Sequence, residues 1–248
     1  MASRKTRGVI HVGTSGWHYD HWTGPFYPRG TAAGDRLAYY CSRFAAVEIN
    51  NSFYQLPSAR TLAAWRDAVP PGFVFAAKAS RYITHMKKLK DSKAAAANFF
   101  DRIATLGPRL GPILFQLPPR WRFNPQRLET FLARLPAGPR RAFEFRDPSW
   151  FDQRCLDILA RHGAAFCIYE LAGEAAPREV TADFVYVRLH GPGEAYQGRY
   201  RTSELAGWAG AFHSWAGQGR EIFCFFDNDQ NGYAALNALE LRAMIGSD

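Results

Sequence analysis

Seven apolar stretches of this chain carry polar or ionisable side chains at or near their C-terminal ends. Glu48 and Asn50 close AAVEIN (45–50), Lys78 falls in FVFAAKA (73–79), Gln116 in PILFQL (112–117), and Glu144 and Arg146 in RAFEFR (141–146). Tyr169 falls in AAFCIYE (164–170), Arg188 and His190 in FVYVRLH (184–190), and Asp227 closes EIFCFFD (221–227), followed by Asn228. A charge at the end of a buried stretch is costly to desolvate, so such charges concentrate at functional sites. The types suggest a division of labour. Glu48 or Glu144 can serve as general acid or base, His190 as a proton shuttle, Asp227 as a further catalytic candidate, and Lys78, Arg146 and Arg188 as an anion clamp. The two glutamates also have the composition of a glycosidase pair, and Lys78 can form a Schiff base where neighbouring cations lower its pKa. The opposing reading is a salt-bridge network in which Glu48, Glu144 and Asp227 neutralise Lys78, Arg146 and Arg188.

Spacing supports convergence. Glu48 with Asn50, Glu144 with Arg146, and Arg188 with His190 lie two residues apart, and an extended chain places such residues on one face. The segment GTSGWHYDHWTGPFYP (13–28) adds Trp17, Tyr19, Trp22, Phe26 and Tyr27. These rings can stack a sugar or base, or can fill the space over the strands. The expected substrate contacts are therefore Trp17, Tyr19, Asn50, Gln116, Arg146, Tyr169, Arg188 and Asn228. Arg81, Lys87, Lys88, Lys90, Arg199 and Arg201 would make the surroundings positive.

Of the seven histidines only His190 falls at a strand end, so the multi-metal centre of a phosphodiesterase resembling endonuclease IV is poorly supplied with ligands. No cofactor is expected. A single divalent ion on Glu48, Glu144, His190 or Asp227 is the metal-dependent option.

These residues need a scaffold, and the chain spells one out. Together with VIHVGT (9–14), the apolar runs make eight strand candidates, separated by segments of helical spacing, as parallel strands require. Leu37, Tyr40, Cys41 and Phe44 give the first helix an apolar face. Ser58 caps the second, and Asn124 followed by Pro125 opens another with N-cap and N1 chemistry. Helices are also expected over 92–106, 151–162, 203–216 and 232–245, whereas LAGEAAPREVTAD after the sixth strand is too short and broken for a full one. The reading is an α/β chain, one (β/α)8 TIM-barrel domain over residues 1–248, with eight parallel strands, the first beginning near residue 9, and an irregular or missing helix between strands 6 and 7. GVIHVGTSGW lacks the GxGxxG turn of a dinucleotide fold, and in a TIM barrel the site lies at the C-terminal ends of the strands.

The 248 residues carry 31 Lys and Arg against 22 Asp and Glu, a net charge of +9, which favours an anionic small molecule or nucleic acid as partner. Four scattered cysteines without a CxxC pair, and no long apolar segment, lead to the expectation of a reduced, cytoplasmic protein that does not meet a membrane.

Motifs in order along nearly the whole chain, GTSGWHYDHWTGPFYP (13–28), VEINNSFYQLPS (47–58), FAAKASRYITHMKKLKD (75–91), LFQLPP (114–119), FEFRDPSW (143–150), YVRLHGPG (186–193) and FDNDQNGYAALNA (226–238), resemble the YecE-like family, domain of unknown function 72. The resemblance implies a TIM-barrel fold with a polar cluster at the strand ends, and no settled reaction. Where family members often carry Phe-Asn-Asn on the last strand, this chain has Phe226, Asp227 and Asn228. The acid at 227 adds a charge there.

Overall fold

The structure is a computed structural model that describes residues 6–91 and 93–246. Eight parallel strands alternate with helices in the α/β arrangement of the (β/α)8 class. The strands are β1 (Ile10–Thr14), β2 (Ala46–Ile49), β3 (Val74–Lys78), β4 (Leu110–Gln116), β5 (Arg141–Glu144), β6 (Ala165–Leu171), β8 (Phe184–Leu189) and β9 (Glu221–Phe226), hydrogen-bonded in the order β1-β9-β8-β6-β5-β4-β3-β2. Each falls inside or within two residues of its expected run. The exception to parallel alternation is β7 (Glu174–Ala175), which pairs antiparallel with the end of β6. It occupies the gap where a helix was expected to fail, since Gly173 and Pro177 suit a tight turn better than a helix.

Among the described residues seven α-helices follow: α1 (Arg36–Cys41), α2 (Ala59–Ala68), α3 (Lys93–Ile103), α4 (Pro125–Arg134), α5 (Gln153–Arg161), α6 (Thr202–Gly217) and α7 (Tyr233–Ile245). Two starts are fixed by the chemistry anticipated for them. Ser58 Oγ accepts from Thr61 N at 3.0 Å, and Asn124 Oδ1 accepts from Arg127 N at 2.9 Å with Pro125 at the first helical position. Each cap answers one of the N–H groups that a helix start leaves unpaired, worth about 1 kcal/mol.

The chain divides into two compact units. The first comprises 1–47, 168–176 and 183–248, and the second 48–167 and 177–182. In the first, β1, β9 and β8 run side by side, while α6 and α7 pack on each other and on β9. Gly13 on β1 is required there, because a Cβ would lie 2.1 Å from the Ala46 carbonyl oxygen. Trp17, Trp22, Phe26 and Tyr27 are buried in this unit, and Phe26 meets Tyr39, Tyr40 and Phe44. These four rings are taken up in packing, while Tyr19 stays half-buried with its hydroxyl donating to Ser15 O at 2.6 Å.

In the second unit β3, β4 and β5 are adjacent, with Lys78 registered against Leu114 and Gln116 against Glu144. Phe115 stacks on Phe143 at 5.0 Å, and Phe145 on Trp150 at 4.7 Å. The Trp150 indole is satisfied by the Trp121 carbonyl at 2.5 Å, which lets the ring be buried without an orphan donor. Among the described residues no helix is long and apolar enough to cross a membrane, and all four cysteines are free thiols.

Candidate functional site

Each unit carries its own polar cluster at the C-terminal ends of its strands. In the first unit the cluster is built on β8 and the end of β9. Arg188 and His190 are fully buried and Asp227 nearly so. As their spacing requires, the two β8 side chains meet: Arg188 Nη1 lies 3.2 Å from His190 Nε2. Arg188 Nη2 donates to Asp227 Oδ2 at 3.1 Å and to Ser15 Oγ at 3.2 Å. His190 Nδ1 lies 3.0 Å from the same Asp227 oxygen. The assignment that gives every contact one donor and one acceptor places the imidazole proton on Nδ1, toward the carboxylate, and turns the Nε2 lone pair to the guanidinium. His190 can then accept a proton at Nε2 only if Arg188 moves away.

Tyr169 and Tyr196 both stand edge-on to His190, at 6.3 and 5.4 Å. The segment holding Tyr196 is tightly determined. Gly191 has φ of +115° and a Cβ there would lie 2.1 Å from Gln197 O, and Tyr196 itself is in the left-handed region at +64°, a conformation that non-glycine residues adopt at a cost. A buried network supports this segment from behind. Tyr200 OH accepts from Gly191 N, and Asn237 Oδ1 accepts from both Tyr200 N and Asn228 Nδ2. Asn228 Nδ2 also donates to Gly198 O at 2.8 Å, so its orientation is set, and its Oδ1 is a buried acceptor with no donor in reach among the described residues. Burial, followed by the charge of Glu170, raises the Tyr200 hydroxyl pKa far above its usual value. Glu170 was not anticipated, because it follows Tyr169 directly and so has the wrong parity for a residue sharing that face.

In the second unit Glu144 on β5 is fully buried, and its Oε1 is held by both Nε and Nη2 of Arg146, the partner two residues along. Cys167 Sγ lies 3.9 Å from Glu144 Oε2. Lys78 at the end of β3 is buried, donates to Asn50 Oδ1 at 3.5 Å and places Nζ 4.3 Å from the Phe53 ring centre. Glu48 is fully buried on β2. Gln116, on the strand between Lys78 and Glu144, has a buried Oε1 with no donor in reach among the described residues. Two orphaned amide oxygens, here and at Asn228, are unusual in a folded chain and invite a ligand donor.

The loop after β3 holds the residue that the sequence reading set aside. A π-helical turn over Tyr82–Met86 carries His85, and such turns are frequent at functional sites. Its Nδ1 is 2.9 Å from Thr84 Oγ1, and its ring meets Phe53 edge-on at 5.0 Å. Burial first, then the cations Lys78, Arg81 and Arg146, lower the His85 pKa to about 4, with Glu144 opposing.

The clusters thus bring Glu144 to Arg146, Lys78 to Asn50, and Arg188 to both His190 and Asp227. Part of the salt-bridge reading holds as well, since Arg146 and Arg188 each grip a carboxylate. Among the described residues no group of three or more His, Cys, Asp or Glu side chains is gathered as a metal centre would need.

Comparison with known proteins places this geometry in a family. The chain is 26% identical to the UPF0759 protein YunF of Bacillus subtilis, over 96% of its own length and 95% of that protein's. The crystal structure of a DUF72 family protein from Thermotoga maritima superposes with a TM-score of 0.87 at 30% identity, covering 96% of this chain and 99% of the other. A DUF72 family protein from Enterococcus faecalis shares the fold with a TM-score of 0.82 at 20% identity, covering 97% of each chain. The family model described as "Protein of unknown function DUF72" matches residues 11–248, and the chain belongs to that family.

Proposed function

We propose that this chain is an enzyme, a hydrolase or lyase working without a metal ion, whose substrate is an anion of the phosphorylated or nucleic-acid-derived kind. The observation that carries the reading is the enclosure of ionisable side chains at strand ends beside an acceptor left without a donor: Glu48 and Glu144 are fully enclosed and Lys78 nearly so, and Gln116 Oε1 is orphaned on the strand between Lys78 and Glu144. A scaffold gains little by burying such groups, whereas catalysis needs charges held fixed and away from water. In this reading Glu144 is the general acid or base, its free rotation removed by Arg146, and Lys78 supplies positive charge to the substrate. In the first unit, taken by itself, His190 oriented by Asp227 is the group suited to handling a proton. The orphaned acceptor on Gln116, in the same unit as Glu144 and Lys78, suits a hydroxyl donor, as on a phosphorylated sugar.

The test is a thermal-shift panel of phosphosugars, nucleotides and oligonucleotides, followed by turnover assays with the hits, with metal content measured in parallel to test the single-ion alternative. At least one phosphorylated class is expected to raise the melting temperature, and Glu144→Gln is expected to retain that shift while losing turnover by about 100-fold or more. No shift from any class, together with an empty anion site in crystals grown with phosphate, would sink the reading.

A second reading, a nucleic-acid binder without catalysis, is favoured by one specific feature. Tyr82 and Met86 are exposed in the second unit on a stretch of chain that also carries Arg81, Lys87, Lys88 and Lys90, with Lys87 Nζ 5.6 Å from the Tyr82 ring centre. Aromatic faces among cations are how single strands are held without regard to sequence. That protein would lose oligonucleotide affinity steeply with salt and tolerate Glu144→Gln.

A further inference from the structure

We propose that Gln116 is the specificity-determining residue of the second unit's cluster, and that its side-chain amide reads a vicinal pair of hydroxyls on a phosphorylated sugar. The inference rests on the anionic-substrate reading above and deepens it by naming which members of that class are bound and the residue that selects them.

The position of Gln116 is fixed while its amide is not. β4 registers Gln116 against Glu144 on β5, and the next residue, Leu117, donates its N–H to the Glu144 carbonyl at 2.8 Å. Pro118 and Pro119 follow, and their rings restrict the backbone as it leaves the strand. The amide has no such restraint. Its Oε1 is buried with no donor in reach, and among the described residues neither end of the group is hydrogen-bonded. A buried amide oxygen in that state is costly to keep. Asn228 shows how an amide is otherwise held: its Nδ2 donates to both Gly198 O and Asn237 Oδ1, which sets its orientation. Nothing in the second unit does this for Gln116 among the described residues, so a ligand can set which way the group turns.

The neighbours of Gln116 indicate what would engage it. Lys78 registers against Leu114, two residues before Gln116 on β4, so Lys78, Gln116 and Glu144 share one face of three adjacent strands. Strand spacing and rise place the Cα atoms of Lys78 and Gln116 about 8 Å apart on the diagonal. A sugar phosphate spans that gap, with its phosphate toward the Lys78 ammonium and hydroxyls a few bonds away at Gln116, beside the Glu144 carboxylate. A carboxamide carries an acceptor oxygen next to a donor nitrogen, so it can accept from one hydroxyl and donate to the adjacent one. A phosphate ester without adjacent hydroxyls engages one end of the amide and leaves the other unmet, which is the basis of selection.

Two measurements on the whole protein test this. The first needs no ligand. Gln116→Met keeps the length of the side chain and removes the amide, so the melting temperature should rise by about 2–4 °C, because a group kept for a ligand costs stability in its absence. The second compares ribose 5-phosphate, whose furanose ring carries adjacent hydroxyls, with 2-deoxyribose 5-phosphate, whose ring carries none. By titration calorimetry the parent should bind ribose 5-phosphate about tenfold more tightly or better, and Gln116→Met should bind the two sugars alike. In the unmodified protein the side-chain amide signals of Gln116, followed by nitrogen-15 NMR, should move with ribose 5-phosphate and not with the deoxy sugar, which serves if the variant does not fold. A lower melting temperature in Gln116→Met, no preference of the parent for ribose 5-phosphate, a preference that survives in the variant, or unmoved Gln116 signals would each overturn the assignment while leaving the anionic-substrate reading in place. Absence of binding by both sugar phosphates and by inorganic phosphate at tens of millimolar would overturn that reading along with it.

Discussion

Arg188 and Arg146 each sit two residues from an ionisable neighbour on the same stretch of chain, and each grips a carboxylate, yet the clusters around them are closed to different degrees. In the first unit one guanidinium ties together His190, Asp227 and Ser15, and both nitrogens of His190 are engaged. In the second unit Arg146 grips Glu144 on its own stretch of chain, while His85, on the turn after β3, is engaged through Nδ1 with Thr84 and is raised in energy as a cation by burial and by Lys78, Arg81 and Arg146. The lesson is that burial alone does not mark a reactive group. A charge whose partners are all supplied from within is held by the fold, whereas an imidazole whose charged form burial and neighbouring cations disfavour can respond to a change around it.

The sharpest way to break this comparison is to remove the tie in the first unit. Arg188→Met keeps bulk and deletes the charge, leaving Asp227 buried without its guanidinium and His190 Nε2 without a donor. A loss of about 3–5 kcal/mol in unfolding free energy is expected by urea denaturation near neutral pH. A loss under about 1 kcal/mol would mean that the first cluster does not hold the fold, and the contrast with the second would fail.

A smaller effect tests how far the closure extends. Tyr200→Phe removes the hydroxyl that accepts from Gly191 N at 3.1 Å and also bonds to Glu170. The N–H of Gly191 is then orphaned, and a loss of about 1–3 kcal/mol should follow. Faster proteolysis within 191–200 would localise the damage to the segment carrying Tyr196. An unchanged melting temperature would show that the network behind His190 contributes little to its order.

Much of this was legible in the sequence, and what was not has physical causes. The strands announced themselves because parallel strands are apolar on both faces, and the helix starts at Ser58 and Asn124 because caps depend on the side chain itself. The pairs Glu144–Arg146 and Arg188–His190 followed from alternation along an extended chain. Alternation also hid Glu170, whose neighbour Tyr169 claimed the informative parity. His85 was invisible for a different reason: a π-helical turn has no sequence period, and the left-handed backbone at Lys88, Leu89 and Asp91 is not encoded by glycine. Composition could not divide the aromatic residues of 13–28 either. Trp22 and Tyr27 are wholly buried and Tyr19 only partly, and only the tertiary arrangement separates them. Nor does anything along the chain mark Val47 and Glu48 as the border between two compact units, since that border falls inside a strand.

The smallest effect sharpens the open side of the comparison without any ligand. The pKa of His85 in the folded chain is lowered to about 4 from the ordinary 6.5, by burial first and then by Lys78, Arg81 and Arg146. A group held unprotonated by folding contributes stability that is present above its unfolded pKa and is lost as pH falls through the folded one. Its share should therefore disappear between about pH 6.5 and pH 4. Because the side chain is partly exposed, solvent screening keeps that share modest. His85→Asn cannot take up a proton, so the melting temperature of the variant should fall less steeply than that of the parent across this window, and the two curves should run parallel above pH 7. Parallel curves throughout would mean that the imidazole is not under strain from its cationic neighbours. In that case the second cluster would be as self-satisfied as the first, and a ligand would find no stored repulsion there to relieve.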